Sequence, residues 1–561
     1  MKLTGAQIMM KVLKEEGVDT IFGYPGGAVI DIYDELAKED IRHILVRQEQ
    51  CAVHAADGYA RAGHKVGVCL VTSGPGATNA VTGIASAHMD SIPIVIFTGQ
   101  VPSALIGNDA FQEVDIVGIT RPCTKHNYLV KRTEDLGRII KEAFHIASSG
   151  RPGPVLIDIP KDVQSTTIDY KPIAKVSMKA YKPTYKPNIK QLERIIPLIK
   201  NAKRPVIFAG GGVILSGGSK ELTQFAGKIQ APVTASLMGL GAFPGTDPLW
   251  LGMLGMHGTY RANMAISESD LLIAVGVRFD DRVTGTIDTF ATKAKIVHID
   301  IDPTSIRKNV PVTIPVVADC KMSLAQLIKL TDTLELQGIK KQRKEWLDKI
   351  QHWKDTAPLA YDQKQVIKPQ FVVEKLYEIT KGNAIITTEV GQNQMWAAQY
   401  YHFTKPNRFI TSGGLGCMGF GLPAAIGAQI AQPDQLVVDI AGDGSIQMNI
   451  QELATAISCD LPIKVVILNN GYLGMVRQWQ ELFYDKRYAS TTMDFAPDFV
   501  KLAEAYGAVG LRATKPDEVE SVLKKGLSLN KTVIMEFAVE PEESVYPMVP
   551  AGAAITEMIL V

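Results

Sequence analysis

The chain has 561 residues, with 59 basic and 58 acidic side chains, and its formal net charge at pH 7 is +1. A nearly neutral chain gives no electrostatic basis for binding nucleic acid or an anionic membrane surface. Its hydrophobic content of 46% is ordinary for a globular protein. No apolar run approaches the roughly 18 residues that a membrane span requires. We therefore expect a globular protein without a nucleic-acid or membrane partner.

The chain is too long for one hydrophobic core, so we expect an α/β protein with three domains, each a parallel sheet flanked by helices. Thr4 and Gly17 mark the start and end of a first helix, which argues against a cleaved signal peptide. Six cysteines without paired spacing argue against disulfides and zinc, and favour a reducing compartment, most simply a bacterial cytoplasm. Polar, proline-bearing stretches divide the chain into residues 1–165, a linker at 166–187, residues 188–335, a charged helical connector at 336–365, residues 366–540 and a tail at 541–561.

In the first block, Glu49 stands between a short apolar strand and a helix of small residues, 52–61. A lone acid in this position usually answers the helix macrodipole. The later apolar segments 68–71 and 94–97 also end in glycine turns, as strands of one parallel sheet do. This context makes Glu49 a candidate for chemistry as well as for helix capping.

In the middle block, one strand runs into the turn Gly210–Gly212, and further strands end near Asp300 and Asp319. Carboxylates at strand ends can accept hydrogen bonds from ribose or adenine. The glycine turn lacks the full dinucleotide-binding pattern, so it is weak support by itself. The residues alone leave two interpretations open, a nucleotide-binding domain and a domain of the same fold that binds no ligand.

In the last block, one apolar strand runs into Gly442-Asp443-Gly444, and the next ends at Asn469-Asn470. Open α/β sheets bind ligands at the carboxyl ends of their strands. Carboxylate and amide oxygens suit a hard cation such as Mg²⁺, and flanking glycines allow a diphosphate to approach the backbone. A plain structural turn is the alternative, and it does not account for the paired asparagines at the next strand end.

Each block also contains a longer motif. These are Thr-Arg-Pro-Cys-Thr-Lys-His-Asn-Tyr at 120–128, Arg-Phe-Asp-Asp-Arg-Val-Thr-Gly at 278–285 and Gly-Gly-Leu-Gly-Cys-Met-Gly-Phe-Gly-Leu-Pro at 413–423. Together with the Gly-Asp-Gly turn, they make the chain resemble the catalytic large subunit of the acetohydroxyacid synthase family. These are thiamine-diphosphate enzymes, and the 278–285 motif is similar to that of the biosynthetic branch, which contains FAD. The likeness covers essentially the whole chain.

The resemblance implies a pyrimidine-binding first domain, a Rossmann-like FAD-binding middle domain, and a last domain that binds thiamine diphosphate and Mg²⁺. It implies a transferase that removes CO₂ from pyruvate and passes the two-carbon unit to a second 2-oxo acid. The products are 2-acetolactate from pyruvate and 2-aceto-2-hydroxybutyrate from 2-oxobutyrate, in the first common step of branched-chain amino acid biosynthesis. The main reaction does not turn over the flavin.

The resemblance also assigns roles to residues of this chain. Glu49 becomes the catalytic acid that hydrogen-bonds the aminopyrimidine. The metal ligands are Asp443, Asn470 and the backbone carbonyl of Tyr472. The other residues expected to contact thiamine diphosphate are Met418, Gly391, Gln392, Gly416, Gly442, Gly444 and Ser445. The residues expected to contact FAD are Arg151, Gly210, Gly211, Gly212, Met256, His257, Arg278, Asp300 and Asp319. The residues expected to contact the 2-oxo acids are Gly26, Phe111, Gln112, Arg282 and Trp479.

In partners, the resemblance implies a homodimer or homotetramer and a small regulatory subunit. The two ends of each cofactor are expected to be held by different chains, and the first block is expected not to fold onto the last within one chain. Plainer interpretations exist for single residues, since Met418 could be core filler, Arg282 part of a surface ion pair and Trp479 simply half-buried.

The alternative functions are a pyruvate oxidase-like flavoenzyme, a glyoxylate carboligase and a catalytically silent regulatory relative. The presence of Glu49 argues against the carboligase. Intact Glu49, Asp443 and Asn470 together argue against the silent relative.

Overall fold

The computed structural model describes residues 1–173 and 176–560, and these form three domains that each contain a six-stranded parallel sheet. The expected fold class is confirmed. No helix within the described ranges is long and apolar enough to span a membrane.

The first domain alternates strands and helices along the chain. Its strands are β1 (Lys2–Thr4), β2 (Thr20–Tyr24), β3 (Arg42–Leu45), β4 (Gly67–Val71), β5 (Ile94–Gln100), β6 (His126–Leu129), β7 (Val155–Pro160) and β8 (Thr167–Asp169). Its helices are α1 (Gly5–Glu15), α2 (Ile30–Leu36), α3 (Glu49–Gly63), α4 (Pro75–Asn79), α5 (Val81–Asp90), α6 (Ile116–Thr120), α7 (Thr133–Ser148) and α8 (Lys161–Ser165). The sheet order is β3-β2-β4-β5-β7-β6, and β4 and β5 are buried along their whole length, as strands covered by helices on both faces are. Strand β8 lies inside the predicted linker and pairs antiparallel with β1.

The middle domain follows the same plan. Its strands are β9 (Pro205–Ala209), β10 (Val233–Ala235), β11 (Trp250–Met253), β12 (Leu271–Val275), β13 (Lys295–Asp300) and β14 (Ile314–Val317). Its helices are α9 (Ile189–Glu193), α10 (Ile195–Asn201), α11 (Gly211–Leu215), α12 (Ser219–Ile229), α13 (Tyr260–Glu268), α14 (Asp281–Thr284), α15 (Cys320–Leu330) and the connecting helix α16 (Leu336–Thr356). The sheet order is β11-β10-β9-β12-β13-β14, so the turns after β9 and β12 lie side by side.

The last domain contains the paired strand ends. Its strands are β15 (Ile385–Thr388), β16 (Phe409–Ile410), β17 (Val437–Gly442), β18 (Lys464–Asn469), β19 (Val509–Ala513) and β20 (Val533–Ala538). Its helices are α17 (Pro369–Thr380), α18 (Gln392–Tyr400), α19 (Gly421–Ala431), α20 (Asp443–Ile446), α21 (Leu453–Ser458), α22 (Gly474–Phe483), α23 (Phe499–Tyr506) and α24 (Pro516–Ser528). The sheet order is β16-β15-β17-β18-β20-β19, which makes β17 and β18 parallel neighbours.

The first and last domains of one chain pack directly on each other through α3 and α19. Both helices are rich in small residues, so their backbones approach closely. Gly58 lies against the carbonyl of Ala424, and Gly427 lies against the carbonyl of Ala55, with no room for a Cβ at either glycine. The expectation that the first block does not fold onto the last is therefore wrong.

The tail, which has no strong sequence pattern, joins the last domain to the middle domain. The carbonyl of Val545 accepts a hydrogen bond from Gln478 of α22 at 3.0 Å. Further along, Val549 N donates to Met256 O at 2.9 Å, and Thr286 N donates to Ala553 O at 3.0 Å. The tail thus connects α22 to two loops of the middle domain.

Candidate active site

Asp443 and Asn470 meet at the carboxyl edge of the last sheet. Strands β17 and β18 run in parallel register, with Gly442 opposite Leu468, so the residues that follow them are neighbours. The backbone N–H of Asn470 donates to Asp443 Oδ1 at 3.4 Å. Asp443 is only 1% exposed, and its Oδ2 has no hydrogen-bond partner in the part of the chain that the structure describes. Burial raises the pKa of Asp443 to about 6, and an unpartnered buried carboxylate oxygen fits the coordination of a cation.

The amide of Asn470 is held by a short relay of side chains. Asn470 Nδ2 donates to Gln392 Oε1 at 3.2 Å, and Gln392 Nε2 donates to Gln478 Oε1 at 2.9 Å. On its other side, Asn470 Oδ1 accepts from Tyr472 N at 3.1 Å. The side chain of Gln392, predicted to contact the diphosphate, is thus used to orient Asn470.

Small residues surround this edge. Gly442 N donates to Ser445 Oγ at 3.2 Å, which ties the start of α20 to the end of β17. Gly391 has a φ of +154° and precedes α18, and Gly444 contacts Leu473 where a Cβ would come within 2.7 Å of Leu473 Cδ2. Gly442 and Gly444, two of the glycines predicted to contact the diphosphate, therefore flank Asp443 at this edge of the sheet.

Met418 lies in the loop between β16 and α19 and is half-buried. Gly416 and Gly419, on either side of it, have φ values of +74° and +85°, in the left-handed region that favours glycine. Their conformation makes a tight turn, and this turn places Met418 outside strand β16 and helix α19. This placement differs from that of a core-filling methionine.

Glu49 is the first residue of α3 and lies at the carboxyl edge of the first sheet. Its Oε2 accepts from Asn79 Nδ2 at 2.9 Å. A Cβ on Gly76 would lie 3.3 Å from Glu49 Oε1 and 2.6 Å from Thr72 Cγ2, which shows how closely these three residues pack. Thr72 Oγ1 is buried without a partner among residues 1–173 and 176–560. No sequence motif drew attention to Thr72.

Two of the predicted substrate residues lie near Glu49. A Cβ on Gly26 would lie 2.5 Å from Thr72 Oγ1, and Gln112 packs against the turn at Gly74. Gln112 has a φ of +59°, an uncommon conformation for a residue other than glycine. Phe111 is 89% exposed on the same loop. A large apolar side chain this exposed is available to a ligand or to another chain.

A cavity of about 670 Å³ lies between the three domains, and it includes eight of the nine residues predicted to contact FAD. Gly210 is the exception. The lining residues are Arg151, Gly211, Gly212, Met256, His257, Arg278, Asp300 and Asp319. Arg151 reaches from the first domain to the middle domain. Its Nε donates to Ser91 Oγ of the first domain at 2.8 Å, and its Nη1 lies 3.1 Å from Asp302 Oδ2 of the middle domain. The cavity combines arginines, carboxylates and apolar walls, which fits a large ligand with both anionic and aromatic parts.

The glycine turn and the two carboxylates in this cavity also have structural roles. Gly212 packs on the turn after β12, where a Cβ would come within 2.6 Å of Gly276 Cα. Asp319 Oδ1 caps α15 by accepting from Met322 N at 2.9 Å. Burial raises the pKa of Asp300 to about 6, and its Oδ1 accepts from Asp302 N at 2.8 Å. Asp319 and Asp300 each direct one oxygen to the backbone.

Arg282 and Trp479 face each other at one end of the cavity. The guanidinium carbon of Arg282 lies 6.0 Å from the centre of the Trp479 ring. Its ion pair with Asp281 is long, at 3.8 Å, and exposed, so it contributes little. The plainer interpretation of Arg282 is a surface ion pair. This pair exists but is weak, so the guanidinium remains available to the carboxylate of a ligand.

Comparison with protein families identifies all three domains. Residues 3–119 match the thiamine pyrophosphate enzyme N-terminal TPP binding domain, residues 192–327 the central domain, and residues 389–537 the C-terminal TPP binding domain. Among curated proteins, the acetolactate synthase large subunit of Haemophilus influenzae is 51% identical, over 100% of this chain and 98% of its own length. The acetolactate synthase isozyme 3 large subunit of Escherichia coli is also 51% identical, with the same coverage. The chain belongs to the acetolactate synthase large-subunit family.

A third relative, the probable acetolactate synthase large subunit of Methanocaldococcus jannaschii, is 49% identical over 99% of this chain and 95% of its own length. All three domains of the chain match models of thiamine pyrophosphate enzymes, so the chain is a thiamine-diphosphate enzyme. Its predicted site residues fall into three groups, around Asp443 on the last domain, around Glu49 on the first domain, and around Arg282 in the cavity. Neither Glu49 nor Asp443 lines the cavity.

Sequence reasoning missed one acidic residue of the cavity wall. Asp90, the last residue of α5, is buried and accepts hydrogen bonds from the backbone of Gly413 and Gly414. It is separated from those glycines by more than half the chain. No local pattern marks it, and only an alignment of relatives or a structure can show it.

Proposed function

We propose that the chain is the catalytic subunit of an acetolactate synthase, which removes CO₂ from pyruvate and joins the remaining two-carbon unit to a second 2-oxo acid. Pyruvate as acceptor gives 2-acetolactate, and 2-oxobutyrate gives 2-aceto-2-hydroxybutyrate. The observation that carries the proposal is the edge of the last sheet, where buried Asp443, between Gly442 and Gly444, has one unpartnered oxygen next to Asn470. When bound, thiamine diphosphate supplies the nucleophilic carbon and the electron sink for loss of CO₂.

The proposed Mg²⁺ site consists of Asp443, Asn470 and the backbone carbonyl of Tyr472. Oxygen donors of this kind suit Mg²⁺, which keeps further positions for phosphate oxygens and water. Gln392 binds Nδ2 of Asn470, so that Oδ1, which accepts one hydrogen bond from Tyr472 N, offers its second lone pair to the cation. A charged carboxylate is required, and cation binding favours the ionised form of a group whose pKa burial has raised.

Glu49 is proposed to hydrogen-bond the aminopyrimidine and to move a proton at its ring nitrogen. Asn79 holds one carboxyl oxygen of Glu49, and the other oxygen faces the glycine turn at Gly76. The absence of a side chain at Gly76 keeps this face open. Glu49 can therefore reach a flat heterocycle laid against the edge of the sheet.

Arg282 and Trp479 are proposed to receive the second 2-oxo acid. A guanidinium pairs with a carboxylate through two parallel hydrogen bonds, and the indole provides an apolar wall for the alkyl group. Their contact across 6.0 Å places the two functions in one pocket. The Trp479 indole favours 2-oxobutyrate over pyruvate because the larger alkyl group of 2-oxobutyrate buries more apolar surface against it.

FAD is proposed to occupy the central cavity, which has the size and the mixed lining that such a ligand needs. Arg151 and Arg278 would supply positive charge to its diphosphate, and Asp300 and Asp319 would accept its hydrogen bonds. The flavin has a structural role in this proposal, and no step of the reaction passes through it.

The active unit is proposed to be a homodimer or a larger homo-oligomer in which Glu49 of one chain faces Asp443 of another. The exposed Phe111, on the loop that also carries Gln112, supports an interface with another chain. The large-subunit names of the relatives further support assembly with a small regulatory subunit.

The test is to incubate the purified chain with pyruvate, thiamine diphosphate, Mg²⁺ and FAD. The expected product turns into acetoin on heating in acid, and its formation requires thiamine diphosphate and the cation. The flavin absorbance should stay that of the oxidised form throughout turnover under anaerobic conditions. Stoichiometric bleaching of the flavin by pyruvate, without acetolactate, would favour the pyruvate oxidase alternative.

A further inference from the structure

The loop that carries Met418 is held by hydrogen bonds to its backbone. We call residues 411–420, between β16 and α19, the Met418 loop; they form no helix or strand. Leu415 is 44% exposed and Met418 is only half-buried. Cys417 and Phe420 of the same loop are buried in the core, so the residues that depend on hydrogen bonds of the backbone are those between and before them.

Asp90 of the first domain holds the start of the loop. Its Oδ2 accepts from Gly413 N at 3.0 Å, and its Oδ1 accepts from Gly414 N at 2.7 Å. Arg61, also in the first domain, lies 3.1 Å from Asp90 Oδ2 and donates to Thr411 O at 2.9 Å. A buried carboxylate and a buried guanidinium thus bind the loop across the interface between the first and last domains. Arg61 is shared with a second buried carboxylate, since its Nε lies 2.6 Å from Asp57 Oδ1.

Glu389 of the last domain holds the end of the loop. It directly follows β15 and is fully buried. Its Oε2 accepts from Gly419 N at 2.6 Å, and its Oε1 accepts from Leu422 N at 3.1 Å. In the middle of the loop, Ser412 Oγ accepts from Gly416 N at 3.2 Å and from Cys417 N at 3.1 Å.

We propose that Asp90 and Glu389 are positioning residues for the reaction, which hold the two ends of the Met418 loop and so set the position of Met418 against bound thiamine diphosphate. The inference rests on the proposed function, in which Met418 supports the cofactor. Asp90 directs both of its oxygens to backbone N–H groups at the start of this loop. Glu389 directs one oxygen to Gly419 at the end of the loop and the other to Leu422 in the first turn of α19. Hydrogen bonds to an ionised acceptor are roughly twice as strong as neutral ones, which suits Asp90, paired with Arg61, to fixing a short segment rich in glycine.

A consequence concerns the interface between domains. Because Asp90 of α5 and Arg61 of α3 belong to the first domain and the Met418 loop to the last, the loop is bound to both domains. The geometry of the cofactor site is thus tied to the packing of the two domains within one chain.

The experiment compares Asp90→Asn and Glu389→Gln with wild type, using the full chain with saturating FAD and Mg²⁺. Each change keeps the shape of the side chain and replaces one carboxyl oxygen by an NH₂ group, which cannot accept a hydrogen bond from a backbone N–H. The matched control is Glu452→Gln, a fully buried carboxyl at the same interface that accepts from Arg47 N at 2.8 Å and Thr455 Oγ1 at 2.6 Å. None of its hydrogen bonds within the described residues reaches the Met418 loop.

Two quantities are measured for each variant. The first is the affinity for thiamine diphosphate, from quenching of protein fluorescence. We expect it to stay within about threefold of wild type, because the groups around Asp443 are untouched. The second is the rate at which the C2 proton of the bound cofactor exchanges with D₂O, from proton NMR after acid quenching. We expect it to fall about 10- to 100-fold in Asp90→Asn and Glu389→Gln, because small misplacements of a positioned group cost this much. The control should exchange at the wild-type rate.

Wild-type exchange in both loop variants would overturn the proposal, and so would equal slowing in Glu452→Gln, since that would indicate general damage to the interface. If a loop variant does not fold, Ser412→Ala replaces it, and unaltered exchange in Ser412→Ala would likewise overturn the proposal. A wild-type chain that forms no acetolactate would contradict the proposed function. Acetolactate formation by wild type, with unaltered exchange in the variants, would contradict only the positioning.

Discussion

Gly474, the first residue of α22, has no room for a side chain. A Cβ at this position would overlap Gln392 Oε1 and would lie 2.7 Å from Asn470 Nδ2. These two atoms share a hydrogen bond of 3.2 Å, and that bond orients the amide of the proposed cation ligand. The substitution Gly474→Ala therefore forces Asn470 and Gln392 apart.

The expected loss follows from two contributions. Breaking a buried amide hydrogen bond costs about 0.5–1.5 kcal/mol, and adding a methyl group to a packed site costs about 1–3 kcal/mol. Together they amount to roughly 1.5–4.5 kcal/mol, which corresponds to a ~10- to 2,000-fold change in an equilibrium constant. Because the displaced groups form the proposed cation site, we expect this loss in the affinity for Mg²⁺.

The assay is a Mg²⁺ titration of the wild-type and variant chains at saturating thiamine diphosphate, followed by protein fluorescence and by acetolactate formation. The matched control is Gly227→Ala in α12, where an added Cβ meets nothing within 4 Å. Since alanine is the better helix former by about 1 kcal/mol, the control should raise the melting temperature slightly and leave Mg²⁺ affinity unchanged. A Gly474→Ala chain that binds Mg²⁺ as tightly as wild type would refute the cation site.

Four further outcomes are expected. Glu49→Gln should bind thiamine diphosphate and Mg²⁺ normally and lose ~10²–10⁴-fold in turnover, measured as acetolactate formed from pyruvate; near-normal turnover would exclude Glu49 as the proton-transfer group. Trp479→Ala should shift products toward 2-acetolactate by ~10-fold when both acceptors compete, because one methylene in an apolar pocket is worth about 1–3 kcal/mol; an unchanged product ratio would exclude this wall. Mixed chains of Glu49→Gln and Asp443→Ala should regain activity after subunit exchange, with up to about one site in two intact, whereas exchange without recovery would mean that each site comes from one chain. Burial raises the pKa of Asp158 from its ordinary 3.8 to about 7, so the folded state binds the extra proton and loses stability as pH rises between those values. Asp158→Asn should remove this part of the slope, up to roughly 1.4 kcal/mol per pH unit, and melting temperatures measured at pH 5 and 7 check it.

The sequence by itself determined the features that depend on neighbouring residues in the chain. Strands β17 and β18 are short apolar segments followed by polar residues, and parallel pairing of consecutive strands brings their ends together. Asp443 and Asn470 therefore meet as predicted, at a hydrogen-bond distance of 3.4 Å. The position of Glu49 at the start of α3 was likewise predicted from the neighbouring residues, an apolar strand before it and a helix after it. The roles assigned to these residues remain predictions.

Only the tertiary structure decided how distant segments meet. The contact of α3 with α19 depends on two runs of small residues whose close approach no periodic pattern announces, and the expectation about the first and last blocks failed for this reason. Asp90 reaches Gly413 and Gly414 because the domain interface places them together, 323 and 324 residues apart in the chain. In the sequence, Gly474 looks like any glycine at the start of a helix. It cannot carry a side chain because Gln392 and Asn470, distant in the chain, pack against it in space. Hydrogen bonding and steric exclusion between such segments depend on coordinates, which local composition does not contain.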